Sequence, residues 1–168
     1  SWADDAFFWN QWDDNQNYAG LRIRQNGWCN VLVKVSGSAT INLDFTSVTM
    51  PENQWFHFAL VRATSGTNRF MIFIDGKLIQ TINNSTAWPD IAGGLRINDE
   101  RYNSGQEFGG YMDEFRISKG VARYTADFTP ATTEFSSDSD TKLLIHSNTT
   151  MGSTTFTDSS GSAHTITK

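Results

Sequence analysis

The sequence predicts an all-β fold, a two-sheet antiparallel sandwich with little or no helix. Three observations carry the prediction. The first is the stretch from Gln54 to Asn83, in which three β-rich runs are separated by two turn signals, a polar Thr64–Asn68 loop and Asp75-Gly76. Asp-Gly is a strong hairpin signal because the type I′ turn that matches strand twist needs positive φ at both central residues. The second is that the first two runs, Trp55–Arg62 and Arg69–Ile74, are apolar on both alternating faces. A half-exposed sheet alternates apolar with polar, so these strands are expected to be central and covered on both sides. The third is composition: 13% aromatic, with twelve Phe and six Trp, against 18% charged.

The elements follow in order. Ala6 to Trp9 reads as a short strand, and Asn10 to Asn17 as a polar loop rich in Trp, Asn and Asp. Tyr18–Gln25 and Trp28–Val35 are strands joined at Asn26-Gly27, with Leu21 and Ile23 inward and Arg22 and Arg24 outward. Ala39–Phe45 has strict period two, with Ile41, Leu43 and Phe45 facing in. The third strand of the central meander, Lys77–Asn83, relaxes toward polar residues and is expected near an edge. Leu95–Asn98 is a short strand, and Asp99–Glu107 a polar loop. Tyr111–Ser118 is a strand, and Val121–Tyr124 reads as one helical turn. Ser136–Asp140 is a Ser/Asp linker before an apolar run at Leu143, Leu144 and Ile145.

With 168 residues the chain suits one domain with a real core, burying about two thirds of its unfolded surface. The net charge of −5 and the lack of any Lys/Arg run argue against a nucleic-acid partner. No apolar run is long enough to span a bilayer. Ser1–Asp5 has no leader pattern, as expected of a processed chain or of one released by lysis. Cys29 is alone, so no internal disulfide forms, and it reads as a small buried hydrophobe.

Trp55-Phe56-His57-Phe58-Ala59-Leu60-Val61-Arg62, with Ile74-Asp75-Gly76-Lys77 after it, resembles the laminin-G-like (concanavalin A-like) jelly-roll domains. Phe108–Ser118 resembles the closing strand of that family, and Val121–Pro130 continues the likeness. The version is similar to copies in phage tail-fibre and bacterial surface proteins, which implies an extracellular or virion-surface location. Residues 141–168 resemble the start of such a domain, while the strands that in relatives precede Phe7 are missing. The expected organisation is therefore a sandwich over 1–135, a linker over 136–140, and a displaced head-like segment over 141–168. That segment would complete its own sandwich as a circular permutation, donate a strand to a neighbouring subunit, or belong to a longer tandem array. Leu143, Leu144, Ile145, Phe156 and Ile166 are its candidate assembly residues.

Some relatives hydrolyse glycans with a Glu-x-Asp-x-Glu motif or a close variant, which sets same-face carboxylates two apart, and this chain has no such motif. Asp113 and Glu114 are adjacent and so point to opposite faces, and His57, His146 and His164 show no metal-binding spacing. His57 reads as a partnered core or cross-strand residue. The expectation is a non-enzymatic module. It is read first as a structural subunit of a virion appendage or extracellular fibre, partnered by itself or by other surface proteins. The alternative is a lectin-like module for glycans, with Trp9, Asn10, Trp12, Asp13, Trp88, Asp99, Tyr102 and Asn103 as candidate ligand residues. The resemblance also admits a rim calcium, for which Asp13, Asp14 and Asp99 are the candidate ligands. The sequons at Asn83, Asn84 and Asn148 matter only in a glycosylating host.

Overall fold

The computed structural model describes residues 5–64, 69–98 and 107–167, and among these it contains ten strands and no helix. The chain forms two compact units, residues 1–109 and 110–168.

The first unit is a sandwich of two antiparallel sheets. The larger holds β1 (Ala6–Trp12), β2 (Tyr18–Ile23), β3 (Cys29–Val35), β4 (Ser38–Phe45) and β8 (Gly94–Ile97) in the order β4-β3-β2-β1-β8. The smaller holds β5 (Phe58–Ala63), β6 (Arg69–Ile74) and β7 (Lys77–Asn83) in sequence order. Register builds the inner face of the larger sheet in rows: Ile23 opposite Cys29 opposite Phe45, Leu21 opposite Val31 opposite Leu43, and Ala19 opposite Val33 opposite Ile41. All nine are buried. Removing such a side chain costs the lost transfer energy plus a cavity, about 3–5 kcal/mol for a Phe truncated to Ala.

Two turns are built as their residue types dictate. Ser36-Gly37 and Asp75-Gly76 both have positive φ at each position, the type I′ geometry. At Asn26-Gly27 only Gly27 is left-handed, and the Gly27 N–H donates to the Arg24 carbonyl at 2.7 Å, so a longer loop replaces the expected two-residue turn. In β1 an extra residue, Phe8, breaks register between Phe7 and Trp9. The bulged Phe8 ring stacks on Phe58 of the opposite sheet at 5.4 Å. Gly93 lies so close to the Trp12 carbonyl that a Cβ there would overlap it, which is why β8 can close against β1.

Several expectations are corrected. β1 runs on to Trp12, because Asn10, Gln11 and Trp12 are paired on both sides, with β2 and with β8. Trp55, Phe56 and His57 lie outside β5. The Asp75 carboxylate takes the His57 N–H at 2.8 Å at the turn, and the ladder begins at Phe58 opposite Ile74. β5 is a half-buried edge strand and β6 alone is buried on both faces, so double-sided apolarity marks one central strand here and not two. β7 is mostly exposed at the other edge, as expected.

In the second unit the closing strand is shorter than read from the sequence. Glu114 has φ 52, with its N–H held by the Asp113 carboxylate, so extended pairing starts only at β9 (Phe115–Ser118). Val121–Tyr124 is irregular and not helical. β10 (Thr141–Ile145) pairs antiparallel with β9, setting Leu143 opposite Ile117, Leu144 opposite Arg116 and Ile145 opposite Phe115.

Candidate functional site

The polar run after β1 builds a turn. The Asp14 carboxylate accepts the N–H groups of Gln16 at 2.7 Å and Asn17 at 2.8 Å, and also the Asn17 amide at 3.0 Å. The Gln16 bond, with the Asn17 bonds, holds the Asp14 carboxyl below its ordinary pKa. Asn17 in turn accepts the Ser36 N–H at 3.0 Å, tying this turn to the β3–β4 turn. Asp13 is exposed beside it. Among the described residues no three acidic, His or Cys side chains converge as a metal would require.

The other candidates divide between two faces of the larger sheet. Trp9 lies 6.3 Å from Trp88, which lies 6.4 Å from Phe70, so both half-buried indoles extend the aromatic core between the sheets. Trp12 and Asn10 sit on the opposite face, in β1 and not in a loop, and Asn10 is only 1% exposed. There Trp12 stacks on Tyr18 at 4.7 Å, with the Lys34 ammonium 5.4 Å from the Tyr18 ring. Asp99, Tyr102 and Asn103 lie outside the described residues.

That same face carries a polar network which sequence reading did not find. Asn30, fully buried, donates to Asn42 and to Asp44, each at 2.8 Å, and accepts from Arg22 at 3.0 Å. Arg22 pairs with Asp5 at 2.8 Å, and Arg24 with Asp44 at 3.1 Å. These partners come from neighbouring strands and from Asp5 just before β1, so the network braces strand register.

A hollow of about 300 Å³ opens at the end of this sheet, between the β2–β3 turn and the segment leaving β4. One wall is Gln25 to Trp28; the other carries Thr46, Thr49 and Glu52 over a floor of Val48 and Met50, both buried. Trp28 is 37% exposed although it opens directly into a core strand. Its backbone N–H donates to the Asn26 side-chain oxygen at 3.1 Å, which fixes the turn and leaves the Asn26 amide nitrogen as a donor. The facing segment is anchored by the Ser47 N–H, which donates to Gln80 of β7 at 2.9 Å. The hollow thus combines an aromatic face, amides, hydroxyls and one carboxylate on two braced loops.

The second unit holds the candidate assembly residues. Leu143, Leu144 and Ile145 are buried, and Phe156 and Ile166 are half-buried. Asp158 is 7% exposed and acts as a hub, accepting the N–H groups of Leu144 (3.0 Å), Ser160 (2.8 Å) and His164 (2.8 Å) and the Ser160 hydroxyl (2.9 Å). Burial works to raise its pKa, but these backbone donors outweigh it and hold the carboxyl below the ordinary value. Arg123 makes paired bonds to Asp138 at 2.9 and 2.7 Å and reaches Thr141 at 3.1 Å. Glu114 spends its carboxylate on the Phe135 N–H and on His146, both at 2.7 Å. Asp113 and Glu114 therefore support loops and do not face each other across a cleft.

Comparison with known families decides the lineage. Residues 1–126 match the family model described as the concanavalin A-like lectin/glucanases superfamily. The chain belongs to that superfamily. Neither a curated protein nor a solved structure gives a significant match. The two-sheet sandwich of this laminin-G-like domain is the fold that membership implies, and the scaffold fits a lectin-like or a structural module. No helix among its described residues is long and apolar enough to cross a membrane.

Proposed function

We propose that this laminin-G-like chain is a non-enzymatic recognition module of an extracellular or virion-surface appendage, binding glycans in the manner of a lectin. The observation that carries the reading is the hollow at Trp28. An exposed indole offers an apolar face of the kind that packs on a sugar ring, and amides and hydroxyls on both walls match sugar hydroxyls. Both walls are loops held by a rigid sandwich, where binding commonly resides. Asp113 and Glu114, the adjacent carboxylates of the sequence, are engaged by the backbone N–H groups of Glu114 and Phe135, an arrangement that suits a structural role for them.

The fibre-subunit reading rests on terminal strands, and it receives less support. Leu143, Leu144 and Ile145 are buried within their own unit, in a strand already paired with β9. This pairing favours a tail that folds back in its own chain over one donated to a neighbour.

The test is a glycan array probed with the labelled full chain. Saturable binding to a restricted set of glycans, lost in Trp28→Ala and kept in a variant of the exposed Trp55, is the expected result. Binding to no glycan, in a chain shown to be folded, overturns the recognition reading.

A further inference from the structure

The charge around the Trp28 hollow narrows the ligand class, on the assumption that the recognition reading holds. Glu52 is the one ionisable residue among those lining the hollow. Two arginines of the adjoining strand and turn are committed elsewhere, Arg22 to Asp5 at 2.8 Å and Arg24 to Asp44 at 3.1 Å. The chain as a whole carries −5. Sites for carboxylated or sulfated sugars need donors in excess, commonly an Arg fork. This hollow supplies the opposite, a carboxylate that accepts hydrogen bonds but cannot donate them when ionised.

From this we infer that the Trp28 hollow takes a neutral or amino-bearing hexopyranose, and that anionic glycans are excluded. The indole packs against the apolar face of the ring. The Glu52 carboxylate receives two neighbouring hydroxyls, or the ammonium of an amino sugar. Asn26 donates through its amide nitrogen, because its oxygen is held by the Trp28 backbone N–H. Thr46 and Thr49 serve as donor or acceptor. A volume of about 300 Å³ stands at the low end for ligand pockets and suits one ring, with the rest of an oligosaccharide in solvent. Like charge brought against the exposed Glu52 is repelled, and no cation lining the hollow offsets it, so the carboxylate works as a filter as well as a contact.

The experiment is a calorimetric titration of the full chain with three sets of oligosaccharides. These end in glucose or galactose, in glucosamine, and in glucuronic acid or sulfated galactose. The first two sets bind and the third does not. Glu52→Gln weakens the glucosamine set at least tenfold, weakens the neutral set less, and admits some of the anionic set. Trp28→Ala removes all binding, while Trp28→Phe keeps part of it, which guards against a loss that is only misfolding. Preference of the native chain for the anionic set overturns this inference and leaves glycan recognition standing. Equal binding by native and Glu52→Gln chains across all three sets also overturns it. Binding of none of the three sets overturns both.

Discussion

The Asp158 carboxylate accepts the Leu144 N–H at 3.0 Å, and the Leu144 carbonyl accepts the N–H of Ser159 at 2.7 Å. Leu144 therefore meets, on the side of β10 away from β9, a turn that satisfies both of its backbone polar groups. The Lys142 carbonyl is covered in the same way by the Ser160 hydroxyl at 3.2 Å. An open strand edge is a template for pairing with another chain, and covering it with a loop is a common protection. Asp158 provides that cover because a carboxylate has two oxygens, and here each takes two hydrogen bonds.

Asp158→Asn should destabilise the second unit by about 2–4 kcal/mol, since an amide turns one acceptor into a donor facing N–H and O–H groups. The pH dependence has the sign set by the lowered pKa of the folded state. The stabilisation from Asp158 is complete above the unfolded value, about 3.9, and is lost as pH falls through the lower folded value. Asp138, held low chiefly by its hydrogen bond to Arg123, acts in the same direction, but it is exposed and screened and adds little. All six Trp residues precede residue 110, so the indole probes belong to the first unit. Amide exchange at Leu144 and His164 is the measurement for the second. Their protection should fall below about pH 4 in the native chain and be weak at pH 7 in Asp158→Asn. Unchanged protection in the variant would remove Asp158 from the role given to it.

Cys29 is fully buried opposite Phe45 and Ile23, and burial pushes its thiol up to about 12. The thiolate is the reactive species. At pH 8 the native chain should therefore resist a thiol reagent, while the denatured chain takes up one equivalent. Rapid labelling of the folded protein would mean that the β3 end of the core opens far more readily than its packing implies.

How much could be read from the chain itself follows the range of the signal. Ile41, Leu43 and Phe45 were legible because period two is a local consequence of the pleat. Asp75-Gly76 was legible because two residues decide the turn. The edge position of β5 was not, since Ala59, Leu60 and Val61 are as apolar as the residues of central β6 and only neighbours distinguish them. Trp9 and Trp88, read as ligand residues, stand with Phe70 between the sheets, two indoles far apart in sequence that only the fold brings together. Trp28 and Glu52 were hidden for the same reason: neither is unusual alone, and only the loop after β4 sets them around one hollow. The Asp-Ser-Ser-Gly run at Asp158 did carry a signal, being a strong turn composition, but not the identity of the strand edge it covers.

The covered edge makes a prediction about self-association. With the Leu144 and Lys142 groups engaged by the Asp158–Ser160 turn, the full chain should be monomeric in light scattering at micromolar concentration. Asp158→Ala releases the Leu144 N–H and loosens the turn, so concentration-dependent dimers or larger species should appear, since a freed edge recruits another strand. Adding a charge on that edge, as in Leu144→Lys, would disturb the buried core and is a poor control; Ser160→Ala, which frees only the Lys142 carbonyl, should associate less than Asp158→Ala. A native chain that already assembles into filaments, unchanged by either substitution, would place its contacts away from β10. It would also shift the balance from recognition toward a fibre subunit, because a surface engaged in a filament is no longer free to meet a glycan.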